Sequence, residues 1–165
     1  MKKPVTSKSY FLTLTIVYGA QVFVMVAFSG VIFFLHSTDQ LPENNDLKDV
    51  LQYVIPVVVI ASLSGGHIIF KMILSKINPT IPLKEKLPKY LSAVLVRSAI
   101  IEVSGLFGAV AAMVTGEIYF LAATLLIVVV FILLRPTALT LTEDLSLSAE
   151  ERNLLQDPEA IVSEV

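Results

Sequence analysis

The chain contains no cysteine and no tryptophan, and only two of its 165 residues are histidines. Without cysteine there is no disulfide framework, thiolate metal site, iron–sulfur cluster or cysteine nucleophile. Two histidines are also too few ligands for a typical transition-metal site. The sequence therefore predicts no metal and no other cofactor.

Charged residues are scarce as well. They make up 16% of the chain, against roughly 25% in an average soluble domain, while apolar residues reach 55%. The net charge of −2 lacks the basic excess of a nucleic-acid binder. This composition indicates a membrane protein whose main partner is the lipid bilayer and which binds no nucleic acid.

Four segments are almost free of charge. They cover residues 10–35, 50–70, 91–113 and 118–134. Only Arg97 and Glu102 are charged within them, and about 20 apolar residues are enough for a helix to cross a bilayer. The runs show no period-two alternation, which favours helices over barrel strands. The predicted fold is all-α, with a four-helix transmembrane domain at 1–136 and an acidic tail at 137–165.

Two features predict how these helices pair. Thr115-Gly116-Glu117 supplies a tight turn, so the third and fourth helices should form an antiparallel hairpin. The first and third segments also align at an offset of 84 residues, which places Phe23 beside Phe107. This alignment suggests two helical hairpins in the same orientation, a parallel repeat.

Lysine and arginine predict the orientation in the membrane. Ten of them fall on one side: Lys2, Lys3, Lys8, Lys71, Lys76, Lys84, Lys86, Lys89, Arg135 and Arg152. The other side carries only Lys48. The positive-inside rule then places both termini in the cytoplasm of a multi-pass protein in the plasma or inner membrane.

The segment Lys71–Tyr90 combines five lysines with three prolines. The prolines exclude one continuous helix, and the lysines should lie against the anionic inner leaflet. We therefore expect this segment to bind anionic lipids. A docking site for a protein is the alternative.

The tail has one clear helix signal. Ser148 and Glu151 have the spacing of a capping box, which predicts a helix from Ser148 to about Asp157-Pro158. Leu154 and Leu155 could attach this helix to the rest of the molecule. A frayed, solvated tail is the alternative.

Glu102 lies at the midpoint of the third segment. A charge at that depth costs about 2.5–3.5 kcal/mol, so the carboxyl should be protonated, paired or in contact with water. A carboxyl at mid-membrane can carry a proton or bind a cation. Alternatively, Glu102 is a structural residue that hydrogen-bonds a neighbouring helix, and Gln21 on the first segment is a candidate partner.

Arg97 precedes Glu102 by five residues, which places the two about 140° apart around a helix. They should not pair, and we expect Arg97 to extend to the cytoplasmic interface. His67 lies at a similar depth. A funnel lined by His67 and Arg97 and ending at Glu102 is one hypothesis; a histidine that only hydrogen-bonds is the other.

Small residues mark predicted helix contacts, because they let a neighbouring backbone approach. They are Gly65, Gly66, Ser104, Gly105, Gly108 and Ala109. The neighbour could be a helix of the same chain, a second copy in a homo-oligomer, or another membrane protein.

Residues 99–112 run Ala-Ile-Ile-Glu-Val-Ser-Gly-Leu-Phe-Gly-Ala-Val-Ala-Ala. This stretch resembles the carboxylate-bearing helix of the rotary ATP synthase proteolipid, subunit c. In that family a mid-membrane acid follows small and aliphatic residues, and an aromatic-glycine pair comes about five residues later. The resemblance implies an ion-binding role for Glu102. The chain as a whole resembles small four-helix bacterial membrane proteins.

The sequence favours a non-enzymatic integral membrane protein that acts as a subunit or accessory of a larger membrane assembly. A proton- or cation-translocating unit that uses Glu102 is the alternative. A third possibility is a module that recruits soluble partners through its acidic tail.

Overall fold

The computed structural model describes residues 4–164 and is mainly helical. Its helices are α1 (Ser7–Ser37), α2 (Asn45–Ser75), α3 (Leu83–Thr115), α4 (Leu121–Leu133), α5 (Ala138–Asp144) and α6 (Ala149–Gln156). A 3-10 turn, Ile118–Phe120, precedes α4. Strands β1 (Pro4–Thr6) and β2 (Ile161–Glu164) pair antiparallel. Lys2 and Lys3, which count towards the predicted orientation, lie outside the described residues.

Helices α1, α2 and α3 are each long and apolar enough to span a membrane. The first three predicted segments lie entirely within them, so the prediction of apolar membrane-spanning helices is confirmed at these places. Each helix has more than 30 residues and is therefore longer than the roughly 30 Å of a hydrocarbon core. A tilt in the bilayer or an extension of the helix ends beyond the hydrocarbon core would accommodate the extra length.

The fourth predicted segment differs from the other three. Helix α4 has only 13 residues, and its segment meets the criteria for a span only as a pair with α5, bent by 81°. The bend lies at Arg135-Pro136, between α4 and α5, because proline has no N–H to continue the helix. The described residues thus contain three helices of spanning length, and a fourth span is not confirmed.

Helix α3 is the central element of the bundle. It packs against α1, α2 and α4, whereas α1 and α2 hardly touch each other. The predicted hairpin of the first two segments is therefore not a packed pair. The reason lies in α3, which carries the small buried residues that admit close neighbours on several sides.

The tight turn after α3 is present where the sequence predicts it. Gly116 ends the helix in the left-handed region with φ 74°, and its N–H donates to Ala112 O at 3.0 Å. An added Cβ would also lie 2.7 Å from Pro42 O. Glycine is required here both for the backbone angle and for the close approach.

The tail is folded, and a frayed tail is not found. Helices α5 and α6 and strand β2 fold back on the bundle, and together with β1 we call them the terminal cap. Helix α6 begins after Ser148 with the predicted capping box, and Leu155 is buried while Leu154 is exposed. Ser7 Oγ donates to Leu155 O at 2.6 Å and ties α1 to the cap. The β1–β2 sheet departs from the all-α prediction, because strands of three and four residues are too short to show a pattern.

The lysine-rich segment is mostly helical. Helix α2 continues to Ser75 and α3 begins at Leu83, so only residues 76–82 are irregular. The predicted interruption is present, but Pro88 lies inside α3 and does not end it. The lysines therefore project from two helix ends and from one short loop.

Candidate functional site

Glu102 of α3 and Gln21 of α1 meet in the middle of the bundle. Gln21 Nε2 donates to Glu102 Oε2 at 2.7 Å, which is the contact across helices that the sequence suggested. Both side chains are half-buried. Gln21 Oε1 is also buried, and it has no hydrogen-bond partner among the described residues. One polar atom of this pair therefore lacks a donor.

The chemistry of the two side chains shows what could supply that donor. An ionised carboxylate only accepts hydrogen bonds, whereas a protonated carboxyl also has one O–H to donate. A protonated Glu102 could donate to Gln21 Oε1 while Gln21 Nε2 donates to Glu102 Oε2. Both groups of the amide would then have a hydrogen-bond partner.

Arg97 is buried within the bundle, next to the end of α4. Its Nη2 donates to Leu134 O at 3.2 Å and to Tyr18 Oη at 3.4 Å. Its guanidinium carbon lies 4.1 Å from the centre of the Phe70 ring. The bundle can hold this buried cation because carbonyls at the end of a helix lack hydrogen-bond partners within that helix. Leu134 O, at the end of α4, is one of these carbonyls.

These contacts make Arg97 a junction of four helices. Tyr18 belongs to α1, Phe70 to α2 and Arg97 to α3, and Leu134 caps α4. Both hydrogen bonds of the cation come from Nη2 and the third contact is an aromatic face, while Nε is buried without a hydrogen-bond partner among the described residues. The geometry therefore supports a structural task for Arg97.

His67 lies apart from the other polar residues. Its side chain is exposed on α2, whereas Arg97 is buried between helices. Among the described residues, no hydrogen bond joins His67 to Arg97 or to Glu102. The funnel hypothesis thus finds no support in the placement of His67.

Two glycines of α3 lie in close helix contacts. A Cβ added to Gly105 would lie 2.9 Å from Met25 Sδ and 3.0 Å from Ile127 Cγ2. A Cβ on Gly108 would lie 2.9 Å from Ala123 Cβ and 3.1 Å from Phe120 O. These glycines let α1 and α4 approach α3 closely.

The other predicted packing residues divide into two groups. Ser104 and Ala109 are buried on α3, and a Cβ on Gly66 of α2 would lie 3.1 Å from Ile101 Cγ1. Gly65 differs from these, because a Cβ there would have no neighbour within 4 Å. Only one of the two adjacent glycines therefore faces α3.

Two lysines of the segment predicted to bind anionic lipids instead pair within the chain. Lys86 Nζ lies 2.7 Å from Glu151 Oε1, with the side chains 3% and 17% exposed. Lys71 Nζ lies 3.0 Å from Asp144 Oδ1 in a more exposed pair. Burial raises the pKa of Glu151, but hydrogen bonds from Lys86 and the Ser148 N–H outweigh it and hold this pKa below its ordinary value of 4.5. The acidic tail thus neutralises part of the basic segment.

Among residues 4–164, no group of three or more histidine, aspartate or glutamate side chains could hold a metal ion. No protein-family model matches the chain, and neither a curated protein nor a solved structure matches it. Its function must therefore be argued from its own residues.

Proposed function

We propose that the chain is a non-enzymatic integral membrane protein that serves as a subunit or accessory of a larger membrane assembly. In this proposal α4 is a fourth, short span, and both ends of the chain lie in the cytoplasm. The distribution of lysine and arginine supports that orientation. One uncovered face of α3 supports the role as a subunit.

This open face of α3 consists of Val96, Ala99, Val103 and Val110. At 100° per residue these positions share one side of the helix, and all four are exposed. Val103, at the middle of the helix, is 64% exposed. The central helix of the bundle is thus uncovered along one apolar stripe.

The neighbours of the open face favour a helix as its occupant. Helices α1 and α2 both pack against α3 and hardly touch each other, and neither covers this exposed face. A transmembrane helix of a partner protein would complete the packing around α3. Half-buried Glu102 is adjacent to Val103 in sequence and could accept a hydrogen bond from that helix, typically worth about 0.6–2 kcal/mol.

Photo-crosslinking in native membranes tests this proposal. A photoreactive residue at Val103 should crosslink to another polypeptide. The matched control is Leu133, which is 77% exposed at the end of α4 and should label lipid alone. Lipid labelling alone at Val103 would contradict a partner helix on the open face.

A proton- or cation-translocating unit is the second candidate function. The observation in its favour is the buried Gln21 Oε1, which lacks a donor among the described residues and would gain one from a protonated Glu102. The resemblance to subunit c assigns the same task to this carboxyl.

Ion flux in liposomes separates the two candidates. If Glu102 carries protons, the wild-type chain should conduct, and Glu102→Gln should abolish the flux because an amide cannot load a proton. Glu143→Gln is the matched control, because it replaces an exposed carboxyl outside the spans and leaves Glu102 in place. No flux from the wild-type chain would leave only the subunit role.

A further inference from the structure

A groove with a volume of about 220 Å³ runs between α1 and α4 on the outer surface of the bundle. Its walls are formed by Thr15, Tyr18, Gly19, Val22, Phe131 and Ile132. Arg135, the second residue after α4, lines the end of the groove nearest the terminal cap. The groove is therefore mainly apolar, with a cation at one end.

Gly19 keeps the α1 wall of this groove open. The residue is exposed, and an added Cβ there would have no neighbour within 4 Å. A larger side chain at Gly19 would therefore extend into the groove without striking the chain itself. This opening suits a flexible apolar occupant such as an acyl chain.

Arg135 carries a charge that no acid of the described residues neutralises. Its Nη2 donates to Thr15 Oγ1 at 3.2 Å, and it takes part in none of the ion pairs found there. By contrast, Lys71 and Lys86 at the same end of the bundle are paired with Asp144 and Glu151. A guanidinium at the end of a span is well placed to bind a phosphate, which it can contact through two parallel N–H groups.

We propose that this groove binds an anionic phospholipid, with one acyl chain between α1 and α4 and the phosphate on Arg135. Charge complementarity selects this occupant, because the polar end of the groove is cationic and the rest is apolar. The site differs from the lysine-rich segment, where two of the cations are already paired. It does not depend on either candidate function.

Native mass spectrometry of the full chain in mild detergent tests the proposal. Phosphatidylglycerol and phosphatidylcholine with identical acyl chains are added separately. We expect phosphatidylglycerol to bind more tightly, and Arg135→Gln to weaken it by roughly five-fold, as expected for the loss of about 1 kcal/mol per basic residue. Gly19→Leu should reduce binding of both lipids by filling the groove.

Two matched controls accompany these variants. Arg152→Gln removes an exposed arginine of α6 outside the groove, and Gly30→Leu adds a side chain to α1 at another glycine whose Cβ would meet nothing within 4 Å. Neither should change binding. Gly19→Val serves as a smaller blocking variant if leucine disturbs folding.

Three results would overturn the lipid site. The first is equal binding of the two lipids by the wild-type chain. The second is an equal loss of phosphatidylglycerol binding in Arg135→Gln and in the control Arg152→Gln. The third is unchanged binding in both Gly19 variants, which would show that no acyl chain lies in the groove.

Discussion

Replacing Glu151 with leucine is expected to destabilise the terminal cap by about 3–5 kcal/mol, the usual cost of leaving one member of a buried ion pair without its partner. Lys86 is the member left behind, and its side chain is only 3% exposed. Neither water nor another acid among the described residues compensates its charge. Hydrogen exchange of α6 and β2 amides in the full chain measures the loss.

A double variant separates the charge from the other tasks of Glu151. Lys86→Met combined with Glu151→Leu removes both charges and should recover most of the stability, because apolar pairs of similar volume replace buried ion pairs well. About 1 kcal/mol should stay lost, since Glu151 Oε2 also accepts from the Ser148 N–H at 3.0 Å in the capping box.

Lys71→Met is the control for an exposed pair. Its partner is Asp144, and the Lys71 side chain is 54% exposed, so the loss should stay below about 1 kcal/mol. Equal losses in the single Glu151 variant and the double variant would contradict the role assigned to the buried charge.

The long helices and the local signals were predictable from the sequence. Apolar runs of 20 residues or more have one favourable structure in a bilayer, and α1, α2 and α3 contain the first three of them. The capping box of Ser148 and Glu151 is equally local, because its residues are only three apart. The Gln21–Glu102 contact followed from depth, since both residues lie near the middle of their segments.

The contacts between distant residues could not be predicted in the same way. Lys86 and Glu151 are 65 residues apart, and nothing in the composition indicates that an acidic tail folds back onto a basic helix end. The acceptor for Arg97 is the backbone carbonyl of Leu134, and a backbone group leaves no mark in a sequence. The contacts of buried Arg97 could not be predicted for this reason.

The tail carries one further signal in its sequence, a set of regularly spaced leucines. Leu141, Leu145 and Leu147 are buried, and the first two have the four-residue spacing of a helix face. They are separated from the spans by Arg135-Pro136 and surrounded by acidic residues. Their burial depends on elements that are distant in the sequence, which no single segment of sequence describes.

Gly108→Leu is expected to destabilise the bundle by about 1–3 kcal/mol or more, as overpacking does in a close contact. The first added carbon would already lie 2.9 Å from Ala123 Cβ and 3.1 Å from the backbone oxygen of Phe120. A backbone oxygen cannot rotate away as a side chain can, so α4 must move away from α3. Unfolding in detergent with increasing sodium dodecyl sulfate, followed by circular dichroism, measures the loss.

Gly65→Leu is the matched control, because it places the same side chain on a spanning helix where a Cβ meets nothing within 4 Å. Leucine also favours a helix over glycine by several tenths of a kcal/mol, so this variant should be neutral or slightly more stable. The sequence assigned both glycines to helix packing, and only the bundle distinguishes them. Equal destabilisation by Gly108→Leu and Gly65→Leu would mean that the added side chain, and not its contact with α4, causes the loss. That result would contradict the close contact of α3 with α4 at Gly108.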